Sequence, residues 1–399
     1  MRALRVAGKV MVSAGLVAVL TIGLPTSVGT RHVQHGMPAE SAERYLSDAG
    51  KRSTCSTELA RLRVTTSQPD YEWDQVMRSY ANTGQGWSGS DGGESVKLPD
   101  GWIVWLYDDT YVGTVTNDRR LFLHNTMVVE NSGGFTTLYG DPSGQPAEFM
   151  NYGLPADYWY WSNDGVVEGD TLYVSYSAYH WRTYSEFGFV WTGTVLAGFS
   201  LNNFGLESVT PLKSERGILW GVWMIDFGRY TYIYGTAATG HGLFRQTYMY
   251  VAKVPSGHIL SQWDYFDGST WSSNVSRIEP VTNLASSQYS VTRIGNVYVL
   301  TTMKNAFESP ELMMYFACSP TGPFTGGKLI YDTLGHGGIY GTTGFPGGYT
   351  YGAYAHPGLT SGNRMIISYD VNSSEWRIVT QNENIVRPRY LEVTISVSH

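Results

Sequence analysis

Segments in which aromatic or aliphatic residues alternate with other residues recur from about Tyr71 to the C-terminus. An alternation with a period of two places successive side chains on opposite faces of a strand, so this pattern predicts β-strands. Five of the segments directly follow a glycine in a predicted turn, and successive glycines are 59–68 residues apart. These glycines are Gly101, Gly169, Gly228, Gly295 and Gly362.

A repeat of roughly 65 residues holds four strands with their connecting loops, which is one blade of a β-propeller. Five repeats therefore predict an all-β, five-bladed β-propeller with four strands in each blade. The competing architecture is a β-sandwich of similar length. A sandwich does not require one similar hairpin to occur five times, so the propeller is favoured.

The chain before the repeats differs in composition. Residues 30–70 are mostly polar, with two weakly helical stretches at 41–46 and 57–62, and are interpreted as a linker and a short helical lead. The propeller domain is predicted over residues 71–399. Residues 1–29 have the features of a signal peptide, namely a basic start, an apolar run over 10–24 and small residues near the end.

The apolar run of the predicted signal peptide is short for a transmembrane helix, which needs about 20 residues. We therefore expect a secreted or cell-envelope protein with no stable membrane insertion after cleavage; an uncleaved anchor is the alternative. In an exported protein Cys55 and Cys318 can form a disulfide, but two unpaired thiols fit the sequence equally well.

Composition narrows the classes of partner. Charged residues make up 15% of the chain, and the 46 Gly, 29 Tyr and 13 Trp residues suit short aromatic strands joined by tight turns. The net charge of −7 argues against nucleic acid as a partner and is compatible with a neutral polysaccharide. The chain contains no Walker loop, nucleophile-elbow or zincin motif, and its nine histidines lack metal-ligand spacing, so no cofactor or metal is expected.

The first hairpin contains the best candidates for catalysis. Asp91 lies nine residues before Asp100 and Asp109 nine residues after it, so a turn centred there places the two aspartates opposite each other. Opposed residues have Cβ atoms about 4.5–5.5 Å apart, and like charges at that distance repel. Two carboxyl groups with different pKa values are what glycosidic cleavage requires. The alternatives are two solvated loop aspartates, or a register slip that turns Asp108 inward instead.

Other polar and aromatic residues lie near the inner hairpins, whose strand ends meet at one mouth of the channel. Aromatic faces can stack on sugar rings, and amide or imidazole groups can bond hydroxyls. Taken singly, each such residue is more often part of packing or a turn. The candidate substrate-binding residues are Trp87, Asn125, Trp161, Asp164, Trp220, Gln288 and His356.

Short motifs across most of the chain resemble a family of exported actinobacterial domains of unknown function that is related to the endo-D-arabinanase glycoside hydrolases. The matching residues are 87–92, 98–110, 124–125, 160–165, 288–291, 353–357, 369–373 and 387–390. The resemblance implies a five-bladed propeller with two essential aspartates in the first blade, at the positions of Asp91 and Asp109. One departure is Tyr107-Asp108-Asp109-Thr110, where the family pattern has glycine or serine in place of Asp108.

The resemblance further implies a hydrolase of D-arabinan in arabinogalactan or lipoarabinomannan of the actinobacterial envelope. By analogy with other propeller hydrolases of furanose polymers, inversion at the anomeric carbon is expected. Two alternatives remain: a hydrolase of another glycan, such as L-arabinan or fructan, and a glycan-binding propeller without catalysis. An enzyme needs two close carboxyl groups with separated pKa values, whereas a binding protein needs only aromatic and hydrogen-bonding groups.

Overall fold

The computed structural model of the chain describes residues 55–114, 121–140, 145–183, 188–240, 245–336, 340–342 and 344–397. The predicted signal peptide and the first part of the predicted linker lie outside these ranges. Within them, 22 strands form five separate sheets.

Each sheet is one blade, and the strands of a blade follow one another from the channel outward. Blade 1 contains β2 (Trp87–Lys97), β3 (Ile103–Val112), β5 (Thr126–Asn131) and β6 (Gly134–Leu138), with β4 (Leu121–Leu123) paired to the end of β3. Blade 2 contains β7 (Tyr158–Glu168), β8 (Thr171–Trp181), β9 (Phe189–Ser200) and β10 (Leu206–Pro211). Blade 3 contains β11 (Leu219–Phe227), β12 (Tyr230–Thr239), β13 (Gln246–Pro255), β14 (Asp264–Phe266) and β15 (Trp271–Ser272).

Blade 4 contains β16 (Tyr289–Ile294), β17 (Val297–Met303), β18 (Glu311–Ala317) and β19 (Thr325–Asp332). Blade 5 contains β20 (Gly348–Ala355), β21 (Arg364–Ser373), β22 (Arg389–Val397) and β1 (Leu62–Pro69). The helices are α1 (residues 55–61), α2 (Tyr71–Ala81) and α3 (Trp376–Gln381). Short 3-10 turns occur at Glu215–Gly217, Val275–Arg277, Thr333–Gly335 and Pro357–Leu359.

The first strands of the five blades, β2, β7, β11, β16 and β20, contact one another in a closed ring. Five hydrophobic clusters occupy the five interfaces between adjacent blades, as where Leu106 of blade 1 and Val174 of blade 2 share one cluster. The predicted five-bladed β-propeller is therefore confirmed. Blades 1 and 3 have five strands rather than the predicted four, because β4 adds to the end of β3 and β15 pairs with β14.

All five repeat glycines lie between the first and second strands of a blade, and all have a positive φ, from 56° to 91°. A positive φ is unfavourable for residues with a Cβ atom, which explains why glycine recurs at this turn. The spacing of these turn glycines therefore predicted the number of blades correctly.

The predicted linker is wrong in one respect. Residues 62–69 are not a linker but form β1, whose backbone pairs antiparallel with the last strand, β22. The first and last strands of the propeller thus lie in one blade and close the ring. A disulfide between Cys55 and Cys318 also connects α1 to the residue that follows β18 of blade 4. No helix within the described ranges is both long and apolar enough to cross a membrane.

Candidate active site

The register between β2 and β3 determines how the acidic residues of blade 1 are arranged. Lys97 pairs with Ile103 and Ser90 with Thr110, as a turn centred at Asp100 predicts. Between these pairs the register shifts twice, and Gly92 pairs with Tyr107. Asp91 therefore lies opposite two consecutive residues of β3, which are Asp108 and Asp109.

The two shifts are β-bulges, which commonly redirect side chains beside functional sites. Gly92 and Gly93 adopt φ values of 75° and 111°, and this backbone conformation favours glycine. A Cβ atom on Gly93 would also lie 3.1 Å from the Tyr107 ring. The Gly-Gly pair after Asp91 therefore permits the bulge that groups the three aspartates.

Burial of the Asp91 carboxyl group favours its protonated form, whereas a hydrogen bond from blade 5 favours its ionised form. The Tyr351 hydroxyl of blade 5 donates a 2.6 Å hydrogen bond to Asp91 Oδ2, while Oδ1 is buried without a hydrogen-bond partner. Burial, and next the negative charge of Asp109, raise the pKa of Asp91 to about 7.

Asp109 has contrasting surroundings. Its Oδ1 accepts hydrogen bonds from Trp161 Nε1 at 2.8 Å and from His124 Nδ1 at 2.7 Å, and its side chain is 32% exposed. Burial lowers the pKa of His124, but the hydrogen bond to Asp109 and the charge of Asp109 outweigh burial, so the net shift is upward. The His124 ring stacks on Trp159 with a centroid distance of 4.7 Å. Two fixed N–H donors therefore orient a solvent-accessible carboxylate.

Asp108 lies on the buried side of the same bulge. It is 7% exposed, and the Ser162 hydroxyl of β7 donates a 3.0 Å hydrogen bond to its Oδ1. Burial, followed by the charges of Asp91 and Glu94, raises its pKa well above the ordinary value. The structure thus separates the neighbouring aspartates: Asp109 reaches solvent and Asp108 does not.

Further buried carboxyl groups extend this cluster around the channel. Asp370 Oδ2 accepts a hydrogen bond from the Gly92 backbone N–H at 3.2 Å, and Asp164 Oδ2 accepts one from the Met224 N–H at 2.7 Å. Glu94 Oε2 and Asp370 Oδ1 have no hydrogen-bond partner. Burial is the main cause that raises the pKa of all three acids, to about 8 for Asp164.

These acids interact electrostatically. Asp91 and Asp164 raise the pKa of Glu94, and Asp91 and Glu94 raise that of Asp370. Protonation of the buried members relieves the repulsion between them. No group of three or more His, Cys, Asp or Glu side chains in the described part of the chain is arranged to hold a metal ion.

Of the predicted substrate-binding residues, Trp161 and Asp164 lie in this acidic region. Trp161 bonds Asp109 directly, and Asp164 belongs to the buried cluster. Gln288, just before β16, has a buried Oε1 with no hydrogen-bond partner, although no contact connects it to the aspartates of blade 1.

The structure places the other four predicted binding residues in packed or structural positions. Trp87 is buried and stacks on Tyr107 at 5.1 Å. Trp220 is buried against Trp263 at 5.9 Å in the core between blades 2 and 3. The positions of Trp87 and Trp220 near hairpins therefore did not predict that their side chains face the protein interior.

The side-chain polar atoms of Asn125 and His356 are all hydrogen-bonded within the protein. The Asn125 side-chain amide exchanges hydrogen bonds with the backbone of Met150 and donates another to Tyr160 O. His356 Nδ1 lies 2.9 Å from the Ser95 hydroxyl and Nε2 lies 2.9 Å from the Ser368 hydroxyl. Burial lowers the pKa of His356 to about 3. Both residues are therefore structural.

Several residues of the site escaped prediction as functional residues. Asp370 follows Tyr369 as Asp108 follows Tyr107, at nearly the same distance from the turn glycine, so the repeat itself carried a signal for it. His124 stands beside Asn125 in a motif of the family resemblance, but only Asn125 is among the predicted substrate-binding residues. Tyr351 had no signal in the sequence, because it contacts Asp91 from 260 positions away.

Comparison with solved structures finds this fold elsewhere. The crystal structure of a "putative hydrolase" from Bacteroides ovatus matches with a TM-score of 0.66 and 19% identity, over 82% of this chain and 90% of that chain. A GH32 β-fructofuranosidase from Bombyx mori matches with a TM-score of 0.41 and 11% identity, over 88% of this chain and 66% of that one. An exo-β-1,3-galactanase from Phanerochaete chrysosporium matches with a TM-score of 0.40 and 10% identity, over 79% and 66%.

At 19% identity the Bacteroides ovatus match shows a shared fold. No curated protein matches the sequence. A family model does match, over residues 74–394, which is most of the propeller. The chain therefore belongs to the family described as Domain of unknown function (DUF5005).

Proposed function

We propose that this protein is a glycoside hydrolase that cleaves furanosidic linkages, with Asp91 as the general acid and Asp109 as the general base. The observation that carries the proposal is the contrast between two opposed aspartates. Asp91 has a buried Oδ1 and a pKa raised to about 7, whereas the Asp109 side chain is 32% exposed and accepts two N–H hydrogen bonds. Neighbouring carboxyl groups with such different surroundings are typical of an acid and base pair.

In the proposed reaction, Asp91 transfers its carboxyl proton to the glycosidic oxygen as the bond from that oxygen to the anomeric carbon breaks. Asp109 takes a proton from the water whose oxygen forms the new bond to the anomeric carbon. The proton then returns from Asp109 to Asp91 through solvent. Attack by water, rather than by Asp109 itself, gives inversion.

His124 and Trp161 act on this reaction through Asp109. Both donate to Oδ1 of Asp109, which leaves Oδ2 to face the attacking water. Tyr351 similarly fixes the orientation of the Asp91 carboxyl group through its hydrogen bond to Oδ2. The three residues are positioning residues, because they orient the carboxyl groups rather than touch the reacting atoms.

The proposed substrate is D-arabinan in arabinogalactan or lipoarabinomannan, and this part rests on the resemblance of the sequence motifs. L-arabinan and fructan are the alternative furanose polymers. The protein is proposed to act outside the cytoplasm, because residues 1–29 have signal-peptide features and the Cys55–Cys318 disulfide suits an oxidising compartment. A non-catalytic glycan-binding role would not require the contrast between Asp91 and Asp109.

A substrate panel tests this proposal. Purified arabinogalactan, linear L-arabinan and levan are each incubated with the protein, and the released oligosaccharides are separated by chromatography. We expect oligosaccharides from arabinogalactan and, in ¹H NMR of the first product, the inverted anomer. Release of oligosaccharides from L-arabinan or levan alone would show that the proposed substrate is wrong while the proposed reaction, glycoside hydrolysis, is right. Binding without release from any polymer would contradict catalysis.

A further inference from the structure

Blade 2 carries a group of aromatic side chains at the end that contacts Asp109. They occur at alternate positions, and the register pairs Trp159 with Tyr179 and Trp181 with Phe189, so they share one face of the sheet. We call this group the blade-2 aromatic platform, which consists of Trp159, Trp161, Tyr179, Trp181 and Phe189.

The rings of the platform contact one another continuously. Trp161 lies 4.5 Å from Tyr179 and 4.7 Å from Phe189 between ring centroids, and Trp159 lies 5.2 Å from Trp181. Most of these contacts are tilted or edge-on, with interplanar angles of 44–87°. These rings therefore meet at an angle rather than lying face to face.

The platform begins at the proposed catalytic base. Trp161 donates its indole N–H to Asp109 Oδ1, and Trp159 stacks on the His124 ring that bonds the same oxygen. From there the rings extend outward to Trp181, which is 36% exposed. A polymer held at Asp109 could therefore run along the platform without leaving the protein surface.

The platform does not belong to the hydrophobic cores that hold the blades together. The core between blades 1 and 2 is built largely from aliphatic and methionine side chains, such as Leu106 and Met127, and none of the five platform residues joins any core cluster. Only Trp159 is fully buried. A contiguous, partly exposed aromatic surface beside an acidic group is typical of a ligand-binding site.

Charge defines the class of ligand. The five platform side chains carry no formal charge, and the partly exposed Asp109 carboxylate at their inner end would repel an anionic polymer. We propose that the blade-2 aromatic platform is an extended binding site for the rings of a neutral polysaccharide, which selects polymers over short oligosaccharides. The preference for polymers during cleavage rests on the proposed function, whereas the binding of a polysaccharide to the platform does not.

The test uses Trp181→Ala and Phe189→Ala, with Trp102→Ala as the matched control. Trp102 is similarly exposed, at 38%, but it lies at the turn end of the blade-1 hairpin, away from Asp109. Trp181→Phe, which keeps an aromatic ring, is the conservative variant. Thermal melts establish that each variant is folded.

Binding is measured first, by intrinsic fluorescence titration with arabinogalactan, L-arabinan, levan and the anionic polygalacturonate. We expect a neutral polymer to bind the unmodified protein and to bind the two alanine variants about tenfold more weakly, with Trp181→Phe close to the unmodified protein. Equal binding by Trp181→Ala, Phe189→Ala and Trp102→Ala would overturn the proposal. Preference for polygalacturonate, or no binding of any neutral polymer, would also overturn it.

Cleavage is measured second, on a polymer and on the shortest oligosaccharide that the protein cleaves. We expect Trp181→Ala to raise KM for the polymer about tenfold while leaving kcat and the short substrate unchanged. An equal loss on both substrates would contradict an extended site. If the protein cleaves no glycan, the proposed function fails, but the binding titrations still decide the platform.

Discussion

Tyr351 of blade 5 donates a 2.6 Å hydrogen bond to the carboxyl group of Asp91 in blade 1, across a separation of 260 residues. This bond lowers the pKa of Asp91, against the larger upward effects of burial and of the charge of Asp109. The proton affinity of the proposed acid therefore depends on the closure of the propeller between blades 5 and 1.

Replacing Tyr351 should change the pH dependence of cleavage. A general acid works only while protonated, so kcat/KM should fall as the pH rises through about 7. Tyr351→Phe removes the hydrogen bond that favours the ionised form, so this alkaline limb should move to higher pH. Tyr349→Phe, on the neighbouring ring of the same strand, is the control. An unchanged alkaline limb in Tyr351→Phe would mean that the ionisation of Asp91 does not cause the loss of activity at high pH.

His124 should matter through the base. His124→Phe keeps a ring to stack on Trp159 but removes the N–H that Asp109 accepts. Because only one of the two donors that orient Asp109 remains, kcat should fall about tenfold or more with little change in KM. His180→Phe is the control, because His180 stacks on Tyr158 instead. A change in KM alone would argue against a positioning role for His124.

Stability should fall as the pH rises, because of the buried acids. Asp164 stays protonated in the folded protein up to about pH 8, whereas in the unfolded chain it ionises near 3.8. Between these values the folded state binds more protons than the unfolded chain. The contribution of Asp164 to the free energy of unfolding is therefore fully present below about pH 4 and is lost as the pH rises to about 8. The loss is at most about 1.4 kcal/mol per pH unit.

Asp164→Asn tests this linkage, since asparagine can still accept the Met224 N–H but does not ionise. Thermal melts from pH 5 to 8 should show a smaller decrease in Tm for Asp164→Asn than for the unmodified protein. Asp100→Asn, in the exposed first turn, should leave the slope unchanged. Parallel slopes for all three proteins would mean that Asp164 is ionised in the folded state.

The Cys55–Cys318 disulfide should stabilise the closed ring. It spans 263 residues and connects the helix before β1 to blade 4. Such a long loop gives a large loss of unfolded-state entropy, so Cys55→Ser with Cys318→Ser should cost about 2–5 kcal/mol and lower Tm by several degrees. Activity at 25 °C should persist, because neither cysteine contacts the acidic cluster. An unchanged Tm would show that strand pairing between β1 and β22 is sufficient for closure.

Local signals in the sequence predicted the blade count and the pairing of the two strands that contain Asp91 and Asp109. Five turn glycines with positive φ mark the five blades, and the equal spacing of Asp91 and Asp109 around Asp100 corresponds to the observed register. Both features arise within a single hairpin. They could be predicted because a hairpin is set by its own turn.

Contacts between blades were not predictable in this way. The compensating bulges that bring Asp108 beside Asp91 leave the overall register unchanged, so spacing alone could not reveal them. Tyr351 and Asp370 reach the site only when blade 5 packs against blade 1. Conversely, His356 occupies the expected place near a hairpin, yet it faces Trp105 and Tyr390 in the core between these two blades.

The most direct test of the account compares Asp91→Asn, Asp109→Asn and the control Asp100→Asn for cleavage of the polysaccharide that the unmodified protein degrades. Each variant is checked by thermal melt, and each is also assayed on an aryl glycoside of the same sugar, whose leaving group needs no acid. We predict that both site variants lose 10²–10⁴-fold in kcat/KM on the polymer, that Asp91→Asn alone recovers on the aryl glycoside, and that Asp100→Asn is unaffected. Near-normal cleavage of the polymer by folded Asp91→Asn or Asp109→Asn would contradict the account.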